Sequence, residues 1–141
     1  EVWHAGDIGD YQIIANLASN KPFRAVYGNI DDTTIRKEYP EHLSFTIEKV
    51  KVVILHIGGY PGKYSSFGKD LIKRESPDLF ISGHSHILKA IYDKKNKLLH
   101  LNPGAAGRNG FHQYITFMRF VVDNGNIRDL EVANHPRSSL S

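Results

Sequence analysis

The chain contains no cysteine and only one methionine among its 141 residues. The lack of cysteine excludes disulfide bonds and thiolate metal ligands, and it fits a reducing compartment such as the cytoplasm. No apolar run is long enough to cross a bilayer as a helix, and no secretory signal is visible. We therefore expect a cytoplasmic protein without membrane contacts, whose polar chemistry rests on oxygen and nitrogen atoms.

A strong excess of charge of one sign is also lacking. Eighteen Lys and Arg residues against 15 Asp and Glu residues give a net charge of +3, and the basic residues are scattered. No basic cluster or aromatic platform is present, which argues against specific nucleic-acid binding. The length and the 40% hydrophobic content predict one domain over residues 1–141 with a buried core, undivided by repeats or linkers.

Strands and helices alternate in the first part of the chain. The pattern predicts helices near residues 11–19, 33–39 and 67–75, and strands near residues 2–5, 23–27, 42–47, 50–56 and 78–82. The continuous apolar run Val52–Leu55 is typical of a strand that is buried on both faces. Only strands are predicted after that, near residues 87–92, 98–101, 112–122 and 127–132, before a flexible polar tail at 134–141. The chain is therefore predicted to be α/β, with a mainly antiparallel second sheet packed as a layer.

Metal-capable side chains lie beside glycines in four loops, each of which follows a predicted strand. These loops are Gly6-Asp7, Gly28-Asn29-Ile30-Asp31, His56-Ile57-Gly58-Gly59 and Gly83-His84-Ser85-His86. Sites in open α/β sheets assemble outside the carboxyl ends of the strands, so these loops are expected to meet. A carboxylate, an amide oxygen and three imidazoles suit borderline divalent transition metals better than Ca or Mg.

Each of these residues alone also has a purely structural interpretation. Asp7 and Asn29 follow glycines and are common turn formers. His56 ends an apolar strand, where a hydrogen-bonded core histidine is an alternative. The His84-Ser85-His86 pair is harder to explain in this way, because both rings leave an extended segment on the same side. The combination of all four loops favours the metal site.

The order of these motifs, followed by Asn102-Pro103-Gly104, resembles the calcineurin-like metallophosphoesterase superfamily, and most closely its small YfcE-like phosphodiesterase branch. The resemblance implies two facing mixed β-sheets flanked by helices, a four-layer sandwich. It also implies two divalent metal ions at the strand ends. We expect manganese, with zinc, nickel, iron or cobalt as alternatives.

The resemblance also assigns roles to the candidate residues. Asp7 would bridge both metals, Asn29, His56 and His84 would complete one site, and His86 would serve the other. Asp7, Asn29 and His56 are the expected catalytic residues. The implied reaction is hydrolysis of a small phosphodiester by a metal-bridging hydroxide; the alternative is a weakly active or inactive scaffold of the same fold.

The sequence departs from the family pattern in two places. The family opens with a strand and an Asp-x-His motif that supplies two ligands to the metal of His86. That motif is absent and the chain begins at Glu1, so we expect the first strand to be missing from this sequence. Many members also carry a histidine, proposed as a proton donor to the leaving group, where this chain has Ile30. Another group must then protonate the leaving group, or the leaving group must be a good one.

Several further residues keep two interpretations. Asp31 either orients a ligand from behind or forms a turn. The Asn102-Pro103-Gly104 loop either offers backbone amides to a phosphate or merely connects strands. Tyr60, Lys63 and Tyr64 are candidates for the pocket edge. Phe117 and Phe120 would serve either self-association or the core. The remaining histidines, which include His100 and His112, receive no role.

Overall fold

The computed structural model describes residues 1–140, with side chains described for residues 1–138. Nine strands and three α-helices follow one another in the chain, before a short 3-10 helix at Arg137–Leu140. The strands are β1 (Val2–His4), β2 (Phe23–Ala25), β3 (His42–Ile47), β4 (Val50–Leu55), β5 (Leu79–Ile81), β6 (Lys89–Asp93), β7 (Leu98–Asn102), β8 (Tyr114–Asp123) and β9 (Asn126–Pro136). The helices are α1 (Tyr11–Asn20), α2 (Thr33–Glu38) and α3 (Ser66–Glu75), and among the described residues none is long and apolar enough to span a membrane.

The three helices begin where the sequence predicts, because each has a side chain that caps its first turn. The carboxylates of Asp10 and Asp32 accept hydrogen bonds from the amides of Gln12 and Ile35. The Ser65 hydroxyl accepts one from Gly68 at the start of α3. Such caps satisfy amides that have no partner within the helix.

The central sheet has five strands in the order β3-β4-β5-β7-β6. Strands β4, β5 and β7 are parallel to one another, and β3 and β6 pair antiparallel at the two edges. Val52 and Ile54 of β4 belong to the core on one face, whereas Val53 and Leu55 pack on the other face with residues of α3. The apolar run of β4 is therefore buried on both faces, as predicted.

A second layer packs on the Val52 and Ile54 face. It consists of two separate ribbons, a parallel pair β1-β2 connected through α1 and an antiparallel hairpin β8-β9. Trp3 of β1 contacts Phe120 of the other ribbon and Phe45 of the central sheet edge-on, at ring-centroid distances of 5.6 and 5.2 Å. The α/β class with sheets flanked by helices is confirmed, although the facing layer is divided between two ribbons.

The β8-β9 hairpin differs from the prediction at its end. Asn124 and Gly125 both have positive φ in the tight turn between β8 and β9, which suits an Asn-Gly pair. Strand β9 then continues to Pro136, where the sequence indicates a flexible tail from residue 134, because Asn134 to Pro136 pair with Thr116 to Tyr114. Phe120 packs against the core, whereas Phe117 is 48% exposed.

Candidate metal centre

The candidate residues all lie just beyond the carboxyl ends of strands. Asp7 follows β1, Asn29 follows β2, His56 directly follows β4, and His84 and His86 follow β5. The carboxyl ends of β1 and β2 in one layer therefore face those of β4 and β5 in the other. Three of these residues, Asp7, His84 and His86, have φ values of 57°, 67° and 60°. Non-glycine residues are uncommon in this region, and such strain collects at functional sites.

His56 is the buried centre of the cluster and is only 4% exposed. Its Nδ1 atom lies 2.6 Å from the carbonyl oxygen of Ala5, which can only accept a hydrogen bond. The Nδ1 atom therefore carries the hydrogen, and the Nε2 lone pair is free. A backbone carbonyl behind the ring is the usual way in which proteins orient a metal-binding histidine.

Two oxygen atoms face this lone pair. Asp7 Oδ2 lies 3.2 Å from His56 Nε2, and Asn29 Oδ1 lies 3.1 Å from it. All three atoms are acceptors in the neutral Nδ1–H tautomer. A bound cation would turn their mutual repulsion into coordination, and the donor set fits a borderline divalent metal ion.

His84 completes this group from the loop after β5, the strand next to β4 in the central sheet. Its Nδ1 atom lies 3.0 Å from Asn29 Oδ1, and its ring meets that of His56 edge-on at 5.4 Å. Ligand atoms of Asp7, His56 and His84 all lie within 4.8 Å of one another. The structure thus brings four of the five predicted residues together.

Glycines beside the cluster leave no room for side chains. A Cβ on Gly28 would lie 2.1 Å from Asp7 Oδ1 and 2.3 Å from the Asp7 backbone nitrogen. A Cβ on Gly6 would lie 2.5 Å from His56 Nδ1. Both glycines are therefore required by close approach, since Gly28 lies against the backbone of Asp7 and Gly6 lies against the ring of His56.

Asp31 holds these two loops together. Its buried carboxylate accepts hydrogen bonds from the amides of Gly28, Ile8 and Gly9, at 2.7, 3.1 and 2.8 Å. Arg36 of α2 donates to the carbonyl oxygens of Asp31 and Asn29 from the other side, at 2.7 and 3.1 Å. Of the two interpretations open for Asp31, these contacts favour the one in which it orients the ligand loops.

Asn102 supports the histidine loop in a way that the sequence did not reveal. Its Nδ2 atom donates to the Gly83 carbonyl at 3.0 Å and to Ser85 Oγ at 3.2 Å, while its Oδ1 accepts from Gly104. The side chain is only 2% exposed. An asparagine at the start of an Asn-Pro-Gly motif, directly after a strand, is the signal that could have indicated hydrogen bonds of this kind to a neighbouring loop.

His86 lies outside the four-residue cluster. Its ring instead meets that of His112 edge-on at a centroid distance of 5.3 Å. Burial, together with the nearby His112, lowers the pKa of His86. His112 was given no role from the sequence, because nothing in its local sequence marks it.

The loop after His56 contributes different residues from those predicted. Tyr64 is buried in the core, where its hydroxyl donates to Asp93 at 2.7 Å, and burial raises its pKa. The ring of Tyr60 lies under the Lys89 ammonium group. A cavity of about 380 Å³ beside Asn29 and His56 is lined by Ile57 and Ser65 of this loop and by Phe67 of α3. Tyr60, Lys63 and Tyr64 are absent from that lining.

The chain is similar to known proteins of one family. Residues 1–125 match the family model of the calcineurin-like phosphoesterase superfamily domain. A curated relative from Methanothermobacter thermautotrophicus, described as a probable metallophosphoesterase, is 30% identical over 104 residues, which are 74% of this chain and 59% of the relative. The chain thus aligns with less than two thirds of that relative's length.

Two solved structures share the fold. An archaeal phosphodiesterase superimposes with a TM-score of 0.70 and 24% sequence identity. The alignment covers 94% of this chain and 82% of the phosphodiesterase chain. The zinc complex of Vps29 from Entamoeba histolytica superimposes with a TM-score of 0.60 and 17% identity, covering 94% of this chain and 81% of its own. By the extent of the family match, this chain belongs to the calcineurin-like phosphoesterase superfamily.

Proposed function

We propose that the chain is a metal-dependent phosphodiesterase that hydrolyses small phosphodiesters. One observation carries the proposal: Asp7 Oδ2 and Asn29 Oδ1 lie 3.2 and 3.1 Å from the Nε2 atom of His56, whose Nδ1 atom donates to the Ala5 carbonyl oxygen. Family membership supports phosphoester hydrolysis as the reaction class. The archaeal phosphodiesterase neighbour supports the choice of a diester, by likeness of fold alone.

The proposed site would hold two divalent ions, as the family resemblance implies. Asp7, Asn29, His56 and His84 would hold one, and His86 belongs to the other. Such ions lower the pKa of water and stabilise the charge that develops on phosphate oxygens. Mn²⁺ is the ion we favour for the mixed oxygen and nitrogen set, with Zn²⁺, Ni²⁺, Fe²⁺ and Co²⁺ as alternatives.

The residues of the chain divide the remaining tasks. Asp7 supplies the negative charge, and one of its oxygens is fixed by the amide of Ile30 at 3.2 Å. His56 is locked by Ala5, so its lone pair needs no reorientation when an ion binds. The Ile30 side chain is 65% exposed and cannot transfer a proton. The enzyme should therefore prefer esters whose leaving group departs without protonation.

The alternative function is a scaffold, because Vps29 has the same fold and a fold does not determine function. A scaffold could lose its imidazoles without harm, yet this chain has His56, His84 and His86 at all three expected positions. We favour the enzyme for that reason. A cytoplasmic location and self-association remain predictions.

The two functions are distinguished by assays with bis(p-nitrophenyl) phosphate and p-nitrophenyl phosphate in the presence of added Mn²⁺. We expect turnover of the diester that is lost in Asp7→Ala and His84→Ala, with circular dichroism to verify folding. A wild-type protein that binds Mn²⁺ tightly but turns over neither ester would favour the scaffold. Undiminished turnover in both variants would overturn the site.

A further inference from the structure

His112 lies in the loop between β7 and β8, ten residues beyond Asn102, and carries an unused buried nitrogen. Its Nε2 atom lies 2.8 Å from the carbonyl oxygen of Gly107, so Nε2 carries the hydrogen and donates it. Its Nδ1 atom is then a lone-pair acceptor, and it is buried without a hydrogen-bond partner in the described structure. A buried acceptor without a partner is costly, and it requires an explanation.

The free nitrogen of His112 faces His86 across Gly110. A Cβ on Gly110 would lie 2.7 Å from His86 Nδ1 and 2.9 Å from His112 Nδ1, so both nitrogens border the space that this glycine leaves open. Gly110 has a φ of 128°, which few other residues adopt. The two rings are perpendicular, with centroids 5.3 Å apart. The two nitrogens therefore converge on one point, and a metal ion held there would form bonds of about 2.0–2.1 Å to each imidazole.

The loop that carries His112 is held in place from behind. Arg137 donates hydrogen bonds to the carbonyl oxygens of Gly110 and His112, at 2.5 and 3.2 Å. Its own amide donates to the carbonyl oxygen of Gln113 at 3.0 Å. Together with the Gly107 contact, these bonds fix the ring of His112 as the Ala5 carbonyl fixes that of His56.

We propose that His112 is a metal ligand which, together with His86, holds the second divalent ion of the site. This inference rests on the proposed function, because the family resemblance assigns His86 to a second ion. Two imidazoles favour Zn²⁺, Ni²⁺ or Co²⁺ over Mg²⁺ and Ca²⁺, so this position selects nitrogen-preferring metals more strongly than the cluster at Asp7. Positions left open on the ion would remain available to solvent or to a phosphate oxygen.

Long-range ¹H–¹⁵N NMR of the full chain, labelled at histidine and titrated with ZnCl₂, tests the proposal without any activity assay. We expect the Nδ1 resonances of His86 and His112 to move together, while the hydrogen on His112 Nε2 is retained. In His112→Ala, binding of Zn²⁺ detected at His86 should weaken about tenfold or more, on the scale of lost metal contacts. His84 should respond as in the wild type.

Two further variants accompany His112→Ala. One fills the gap while both histidines are kept, and the other removes a histidine elsewhere as a control. Gly110→Ala keeps both imidazoles and should weaken the His86 response, because the new methyl group occupies the gap. His135→Ala removes an exposed histidine of β9 and should change nothing.

An unchanged His86 response in folded His112→Ala or Gly110→Ala would overturn the inference. If His86 and His112 respond but His56 and His84 do not, the inference stands and the proposed function loses its main support. If the His56 and His84 signals respond while those of His86 and His112 remain unchanged, the inference falls and the proposed function stands.

Discussion

The Nδ1 atom of His56 donates a hydrogen bond of 2.6 Å to the carbonyl oxygen of Ala5. The two residues belong to different layers, since His56 follows β4 of the central sheet and Ala5 follows β1 of the facing ribbon. One bond therefore fixes both the tautomer of the ring and the relative position of two strand ends. The Nε2 lone pair is left to face Asp7 and Asn29.

The bond of His56 to Ala5, and the bond of His112 to Gly107, each predict which ring nitrogen carries the hydrogen in the metal-free protein. His56 should be the Nδ1–H tautomer and His112 the Nε2–H tautomer, because each donates to a backbone carbonyl through that nitrogen. The ¹⁵N chemical shifts of the imidazoles at neutral pH measure this directly. Finding His56 as the Nε2–H tautomer would contradict the geometry from which we infer the metal centre.

Gly28→Ala should disrupt the metal centre although it changes no ligand. Its methyl group would overlap both the carboxylate and the backbone nitrogen of Asp7, and a backbone atom cannot move aside easily. Overpacking of this kind costs about 1–3 kcal/mol of unfolding free energy. Mn²⁺ affinity, measured by calorimetry, should fall with it. Gly107→Ala is the matched control, since nothing lies within 4 Å of its new Cβ, and equal effects in the two variants would refute the prediction.

Asp31→Asn should weaken metal binding although Asp31 is not a ligand, because its carboxylate holds the loops that carry Asp7 and Asn29. The carboxylate accepts three backbone N–H bonds, whereas an amide has one oxygen and would turn its NH₂ group towards donors. We expect a loss of about 2–3 kcal/mol in the free energy of unfolding, the scale of hydrogen bonds to charged groups. Mn²⁺ affinity should fall about 10- to 100-fold.

Its neighbour Asp32 provides the control, because Asp32→Asn preserves the cap of α2 and should be almost neutral. Denaturant unfolding and calorimetry would measure both variants. If Asp31→Asn retains wild-type Mn²⁺ affinity, Asp31 is only a turn residue.

His100 should make the protein less stable in acid. Its side chain is fully buried beside Phe80 and Tyr64, and burial lowers its pKa from 6.5 to about 4. Between these two values the unfolded chain binds a proton that the folded chain does not. The contribution of neutral His100 to the free energy of unfolding is therefore fully present above pH 6.5. It falls by about 2–3 kcal/mol as the pH drops towards 4.

The measurement is urea unfolding of wild type and His100→Leu at several pH values between 4 and 7. His100→Leu should make the free energy of unfolding depend less on pH, whereas His135→Gln, at an exposed position, should leave that pH dependence unchanged. Parallel curves for wild type and His100→Leu would contradict the prediction.

Much of the fold could be predicted from the sequence because local signals agree with the packing. The apolar run of β4, the capping residue Asp10 and the Asn124-Gly125 turn each determine an element without distant partners. The extension of β9 to Pro136 could not be predicted, since a polar strand is recognised only by the partner that it pairs with. The division of the facing layer into two ribbons likewise depends on long-range contacts.

The site divides in the same way. Asp7, Asn29, His56 and His84 were predicted as a group because each follows a strand, and strand ends meet at the edge of a sheet. The support from Asn102 and the position of His112 beside His86 could not be predicted, because both depend on contacts with a loop that is distant in the sequence. Tyr64 was placed at the pocket edge, yet its ring is in the core, where Asp93 accepts the bond from its hydroxyl.

The most direct test of the central claim measures bound Mn²⁺ and phosphodiester turnover on the same samples of wild type and Asp7→Asn. Asparagine keeps the shape of the side chain and tolerates the left-handed backbone at this position, where φ is 57°, so the variant removes mainly the negative charge. We predict that turnover of bis(p-nitrophenyl) phosphate follows bound Mn²⁺ in the wild type and that both are lost in Asp7→Asn. Undiminished, metal-independent turnover in the folded variant would contradict the account.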